Sequence, residues 1–194
     1  MVCLFGGAFD PPHNGHLALV VAALARFEPE RLLVLPAGFA SYKLIEAPAA
    51  TRLRLAEAAF ADLPRVLVSD YEIARGEPSY TLETIRWAAE LYGEVMFLVG
   101  ADQFALLDDW HRPNEVLRVA RLGVATRPGY RGQELERQLA RLEDLARVEF
   151  FEIPPTPISS SSIRALIARG EDVPGLMPPR VAALVSALGL YRPV

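Results

Sequence analysis

A doubly wound α/β fold is predicted for this 194-residue chain by two features of its sequence. Short apolar runs alternate with longer segments of helical periodicity, and several of the runs are apolar throughout. Strands covered on both faces by crossover helices read that way, whereas strands with one solvent face alternate. The expectation is a mainly parallel sheet with helices on both faces and a short helical C-terminal part, forming a single domain over 1–194.

The first run, VCLF at 2–5, precedes a helical pattern at about 15–27, where Leu17, Val20, Val21 and Leu24 share one face. RLLVLP at 31–36 precedes a pattern at about 51–62, and RVLVSD at 65–70 precedes one at about 81–92. EVMFLVG at 94–100 leads to a helix at about 113–119, and RLGVAT at 121–126 to one at about 133–146. In that last pattern leucines at 135, 139, 142 and 145 stand among charges, the signature of an exposed amphipathic helix. VEFFEI at 148–153 is the sixth strand, and helices at about 161–169 and 179–188 close the chain. Proline-rich patches at 154–157 and 174–179 read as turns within the domain.

Composition narrows the function classes. Hydrophobic residues make up 52% of the chain, which excludes a disordered one. The net charge of −4 argues against non-specific nucleic-acid binding, because phosphate backbones want a basic surface. No run approaches the ~20 apolar residues of a membrane span, so no membrane partner is expected. The apolar start at 1–5 lacks the charged flank of a secretory signal, and the lone Cys3 rules out an internal disulfide. The expectation is a cytoplasmic protein. Nineteen of the 20 basic residues are arginine; Lys43, in a loop, is the exception.

In such folds ligands bind beyond the carboxyl ends of the strands, where strand order reverses. The loops beginning at Gly6, Pro36, Asp70, Gly100, Arg127 and Pro154 would share that rim. The first of them reads GGAFDPPHNGH, residues 6–16, and contains two of the three histidines. Gly6 and Gly7 let backbone N–H groups approach an anion, and Pro11 and Pro12 stiffen the loop. His13 and His16, three positions apart, enter the first turn of a helix, whose N-terminus attracts phosphate. Read alone, the stretch also fits a glycine-rich turn with two surface histidines. Zinc is disfavoured, since His111 and Cys3 lack ligand spacing. At the other end, ISSSSIR at 158–164 offers four hydroxyls, more than one helix cap requires, with Arg164 one turn in.

These stretches resemble the nucleotidyltransferase superfamily with the GGxFDPxHxGH signature, and within it the bacterial nicotinate-mononucleotide adenylyltransferases. The similarity runs from Leu4 to Tyr191. It implies a Rossmann-like fold and adenylyl transfer from ATP to nicotinate mononucleotide, giving deamido-NAD and pyrophosphate. By resemblance, His13 and His16 are catalytic, and Gly6, Gly7, Ala8, Phe9, Gly100, Asp102, Ser159, Ser161 and Arg164 bind ATP. Lys43, Tyr80, Thr81, Trp110 and Arg127 would bind the acceptor, with Trp110 stacked on its pyridine ring. The chain departs from the family pattern at Ala8, where threonine is usual, at His111, where tyrosine is common, and at ASYK (40–43), where the family shows a PPH[KR] segment.

The attacking phosphate is already an oxyanion, so alignment and electrostatic stabilisation suffice and no nucleophilic side chain is needed. Mg²⁺ is the expected cofactor, carried by the ATP phosphates with water rather than by a protein cage. Competing readings are a phosphopantetheine or amide-mononucleotide adenylyltransferase, a non-catalytic adenylate sensor, and a class I synthetase, which the missing KMSKS lysines disfavour. Residues alone leave open the choice of acid or amide acceptor, and whether the chain forms a homo-oligomer.

Overall fold

The computed structural model describes residues 1–39, 45–78, 80–127, 133–141 and 145–193. Among these, six strands form one fully parallel sheet: β1 (Val2–Gly7), β2 (Arg31–Pro36), β3 (Val66–Val68), β4 (Val95–Gly100), β5 (Arg121–Thr126) and β6 (Val148–Glu152). Their order is β3-β2-β1-β4-β5-β6, the Rossmann-like arrangement that reverses direction between β1 and β4.

The pleat explains the apolar runs. In β1, Val2 and Leu4 point to one face of the sheet while Cys3 and Phe5 point to the other, and all four are buried. The Val2 and Leu4 face packs on α4 (Thr81–Tyr92) through Leu82, Ile85 and Ala88, and on α6 (Pro113–Val119) through Val116 and Leu117. The opposite face packs on α1 (Asn14–Phe27) through Leu19, Val20 and Ala23, and on α2 (Ala49–Phe60) through Leu55, Ala59 and Phe60. The same layer holds α8 (Ser160–Ala168) through Ile163 and α9 (Pro179–Ala187) through Val181 and Val185.

Two short helices lie at strand ends where only loops are expected from the sequence: α3 (Tyr71–Arg75) after β3 and α5 (Ala101–Phe104) after β4. Each is about one turn, too short for apolar periodicity to register. The helix expected at 133–146 is shorter: α7 spans Gln133–Arg141, and a 3₁₀ turn at Leu145–Arg147 leads into β6. No described helix is long and apolar enough to cross a membrane.

Because the ladders are parallel, Gly7 lies opposite Pro36, Gly100 opposite Ala125 and Thr126 opposite Glu152. The carboxyl ends of five strands therefore lie along one edge of the sheet.

Candidate active site at the carboxyl edge of the sheet

Gly6 and Gly7 end β1, and the chain then turns through Ala8, Phe9 and Asp10 to the start of α1. Phe9 takes φ 50°, a left-handed value uncommon for a bulky residue, with its ring buried against Phe5 and Phe60. Its side chain belongs to the core, which leaves only its backbone for the ATP contact expected from the sequence.

His13 is the N-cap of α1 and His16 is its third residue, and each caps the other's backbone. His13 Nδ1 accepts from the Gly15 N–H at 3.2 Å, and His16 Nδ1 accepts from the His13 N–H at 3.1 Å. The two rings are stacked with centroids 3.7 Å apart. A ring nitrogen that accepts from a backbone N–H carries no proton, so the neutral form of each ring bears its hydrogen on Nε2. A side chain at the intervening glycine would crowd the His13 ring. A Cβ on Gly15 would lie 3.0 Å from the His13 ring and 3.4 Å from Thr156 Oγ1.

The two imidazoles are not equivalent. His13 is 8% exposed, and burial pushes its pKa down to about 4, so it is neutral at physiological pH. His16 is partly exposed and rests its ring on Phe9, with centroids 5.0 Å apart.

The C-terminal serines divide their work. Ser159 caps α8 by accepting from the Ser162 N–H at 3.0 Å, and Ser162 Oγ accepts from the Ser159 N–H in return. Ser160 Oγ donates to the Pro11 carbonyl at 2.8 Å. Ser161 is exposed in the first turn of α8, and its hydroxyl makes no hydrogen bond among the described residues. Arg164 donates from Nη1 to the Asp10 carbonyl at 2.9 Å and from Nε to Glu46 at 2.7 Å. It therefore clasps the first loop, with Nη1 also 3.8 Å from the Asp10 carboxylate, and Nη2 makes no hydrogen bond among the described residues, a narrower role than the fork donor expected from the sequence. The Asn14 N–H and side chain add two further ties, to the carbonyls of Leu176 and Gly175. The first and last motifs of the chain thus form one structure, with the N-termini of α1 and α8 side by side.

Asp10, 1% exposed, is the buried hub beneath them. Its carboxylate accepts from the Glu46 N–H at 2.7 Å, the Ala47 N–H at 3.1 Å and the Tyr191 hydroxyl at 2.8 Å. Burial and that hydrogen bond hold the Tyr191 phenol well above its ordinary range, so it stays a donor.

On the acceptor side, Tyr80 caps α4 and is 42% exposed, and Thr81 begins that helix. The Tyr80 and His111 rings lie 4.6 Å apart between centroids, so the departure at His111 contacts a predicted site residue. Trp110 packs edge-on to Phe97 at 5.8 Å, and Phe97 also lies against Gly6, where an added Cβ would come within 3.3 Å of the ring. One ring thus connects Trp110 to the first loop. Gly100 caps α5, and Asp102 is exposed in its first turn. Arg127 is exposed just past β5; among the described residues, neither Asp102 nor Arg127 makes a side-chain hydrogen bond or ion pair. Lys43 lies outside the described residues.

Sequence reasoning missed Arg52. It is 1% exposed in α2 and donates to the carbonyls of Ala47, Ala8 and Gly38 at 3.2, 2.8 and 3.2 Å. Burial lowers its pKa, with Asp10, Tyr191 and Glu72 opposing, and a guanidinium so placed remains a cation. A signal was present: Arg52, Leu55, Ala56 and Ala59 follow the spacing of one buried helical stripe, and the first of them is charged.

The cytidylyltransferase-like family matches this chain over residues 4–166. A protein of Albidiferax ferrireducens named "Probable nicotinate-nucleotide adenylyltransferase" is 38% identical over 97% of this chain and 96% of its own length. One of the same name from Chloroherpeton thalassium is 34% identical over 98% of this chain and 97% of its own. Among solved structures, the nicotinic acid mononucleotide adenylyltransferase of Plasmodium falciparum complexed with NaAD superposes with a TM-score of 0.80. It does so at 17% identity, covering 98% of this chain and 96% of its own.

Proposed function

The chain belongs to the cytidylyltransferase-like family, and from that premise we propose that it transfers the adenylyl group of ATP to nicotinate mononucleotide, forming deamido-NAD and pyrophosphate in NAD biosynthesis. The observation that carries this reading is the mutually capped His13–His16 pair, seated where the N-termini of α1 and α8 meet. Relatives of the same named activity, alike over nearly the full chain, support it.

The acceptor's 5′-phosphate oxygen attacks the α-phosphorus of ATP. A new P–O–P linkage forms, the bond from that phosphorus to the β-bridging oxygen breaks, and pyrophosphate leaves with the electron pair. A phosphate monoester is largely dianionic at pH 7, so nothing need deprotonate it. The protein's task is alignment and stabilisation of growing negative charge. The Nε2–H groups of His13 and His16 donate to the non-bridging α-phosphate oxygens, with His16, the more exposed, the principal donor. The backbone at Gly6–Phe9, the Ser161 hydroxyl and Arg164 Nη2 hold the β- and γ-phosphates, joined by two helix N-termini. Gly100 and Asp102 take the adenosine, and Ser159 acts through its cap.

Tyr80, Thr81, Trp110, Arg127 and Lys43 take the acceptor, with the Trp110 face against the pyridine ring. Among the described residues no group of three or more His, Cys, Asp or Glu could hold a metal ion. Mg²⁺ would be carried in on the nucleotide phosphates and would neutralise part of their charge there. The protein is read as cytoplasmic, and the buried Cys3, whose thiol burial pushes up to about 12, takes no part in the transfer.

The test is pyrophosphate release from Mg²⁺-ATP with nicotinate mononucleotide, its amide and phosphopantetheine offered in parallel. Turnover is expected with the first. Preference for either of the others reassigns the acceptor, and no release with any of them overturns the reading.

A further inference from the structure

We propose that Arg52 is a positioning residue for adenylyl transfer, setting the spacing between the nucleotide loop at Ala8 and the acceptor-side loop at Gly38. The proposal rests on the function proposed above.

The two loops leave neighbouring strands. The β1–β2 ladder ends with Gly7 opposite Pro36, and one further main-chain bond follows, from the Ala37 N–H to the Gly7 carbonyl at 2.8 Å. Just beyond it, Arg52 spans the gap: Nη1 holds the Ala8 carbonyl and Nη2 the Gly38 carbonyl. Its Nε holds the Ala47 carbonyl, on the segment whose Glu46 and Ala47 N–H groups bond to Asp10. Residues 46 and 47 are thereby fixed from both sides, by a buried anion on their donors and a buried cation on an acceptor. Asp10 is also the residue whose carbonyl Arg164 clasps. One enclosed charge network therefore connects the loop that carries the histidine pair to Gly38 and to residues 46 and 47.

A helix-borne guanidinium suits this task because it is planar and offers five N–H groups in a fixed fork. Lysine offers a compact point charge on a flexible stem and cannot reach three separated carbonyls in one geometry. Arg52 is enclosed and does not touch substrate, so its effect on rate passes through loop placement. In-line transfer needs the reacting atoms about 3–3.5 Å apart, and a misplacement of about 1 Å costs roughly 10²-fold.

The experiment compares wild type with Arg52→Lys, Arg52→Gln and Arg54→Gln, the last an exposed control on the same helix. Steady-state kinetics with Mg²⁺-ATP and nicotinate mononucleotide are measured beside amide hydrogen exchange. Both Arg52 variants should lose about 100-fold in kcat, with either KM changed by no more than about threefold. Exchange should rise at residues 8–10 and 46–47 while β1 and β4 stay protected, and Arg54→Gln should match wild type. Arg52→Lys with wild-type kcat overturns the proposal. So does a loss that falls mainly on one KM, or one that tracks the fraction of folded protein. If Arg52→Gln does not fold, Arg52→Lys, which keeps the cation, decides; if it also fails to fold, the residue serves stability and the proposal falls. A wild type inert towards every acceptor defeats the functional reading instead. Loop exchange then decides this inference, and unchanged protection in the variants overturns it.

Discussion

The Ser160 hydroxyl donates to the Pro11 carbonyl at 2.8 Å, joining residues 149 positions apart in the chain. That bond, with Arg164 on the Asp10 carbonyl, holds two helix N-termini against each other. Two positive helix ends aimed at one region are unfavourable alone. They become useful when a polyanion lies between them, and a triphosphate is such a group. A site organised in this way needs few side chains for catalysis, and the His13–His16 pair supplies those best placed at the α1 end.

His16→Ala tests that pair. On the proposed mechanism the variant loses an Nε2–H donor to the α-phosphate, and kcat should fall by about 10²–10³. It also loses the Nδ1 acceptor of the His13 N–H, which costs about 1 kcal/mol of stability. Turnover near wild type, in a protein that melts slightly earlier, would remove His16 from the transition state.

His13 makes stability depend on pH. Its pKa is 6.5 unfolded and about 4 folded. Between those values the unfolded chain binds more protons, so stability rises with pH across the window and is fully present above it. Acidifying from pH 7.5 to 4.5 should cost wild type about 2–3 kcal/mol through this residue. His13→Asn keeps a good N-cap without the titration. Urea unfolding of the two proteins should agree near pH 7.5 and diverge at pH 4.5, where wild type is the less stable. A constant difference across the range would mean that His13 titrates normally.

The sheet was legible from the sequence because its strands are apolar on both faces, as in LLVL of β2 and MFLV of β4. The paired motifs were legible because glycine, proline, histidine and serine each carry a specific backbone or proton role. What the residues did not display was which serine does what. Four identical letters become an N-cap, a tie to Pro11, an exposed hydroxyl and a reciprocal cap only once α8 meets the first loop. Arg164 read as an anion fork because nothing local indicates that Glu46 and the Asp10 carbonyl occupy two of its nitrogens. Arg52 was hidden for the opposite reason, since its partners are main-chain carbonyls, which no side-chain pattern encodes.

Trp110 separates the two substrates. Its ring packs edge-on to Phe97 and is partly buried, so Trp110→Ala removes packing as well as a stacking face. Stacking is worth about 0.5–1.5 kcal/mol, which raises the acceptor KM by about 2- to 12-fold. The KM for ATP should move much less. Equal increases for both substrates would make Trp110 a structural residue, and the tilted Tyr80–His111 pair would then be the aromatic surface to test.

Ser160 and Ser161 are neighbours with opposite expected behaviour. Ser160→Ala leaves the Pro11 carbonyl without its donor, a loss of about 1 kcal/mol. For a chain of this size that lowers Tm by about 2–4 °C. Ser161→Ala removes an exposed hydroxyl that has no hydrogen-bond partner among the described residues, so Tm should stay within about 1 °C. If Ser161 holds the ATP phosphates as proposed, its effect should appear instead as a higher KM for ATP. Melting curves and ATP titrations on the two variants decide the matter together. If Ser161→Ala changes neither quantity, the α8 end contributes its backbone N–H groups alone to the triphosphate. If Ser160→Ala melts like wild type, the clasp between the chain ends rests on Arg164 and Asn14.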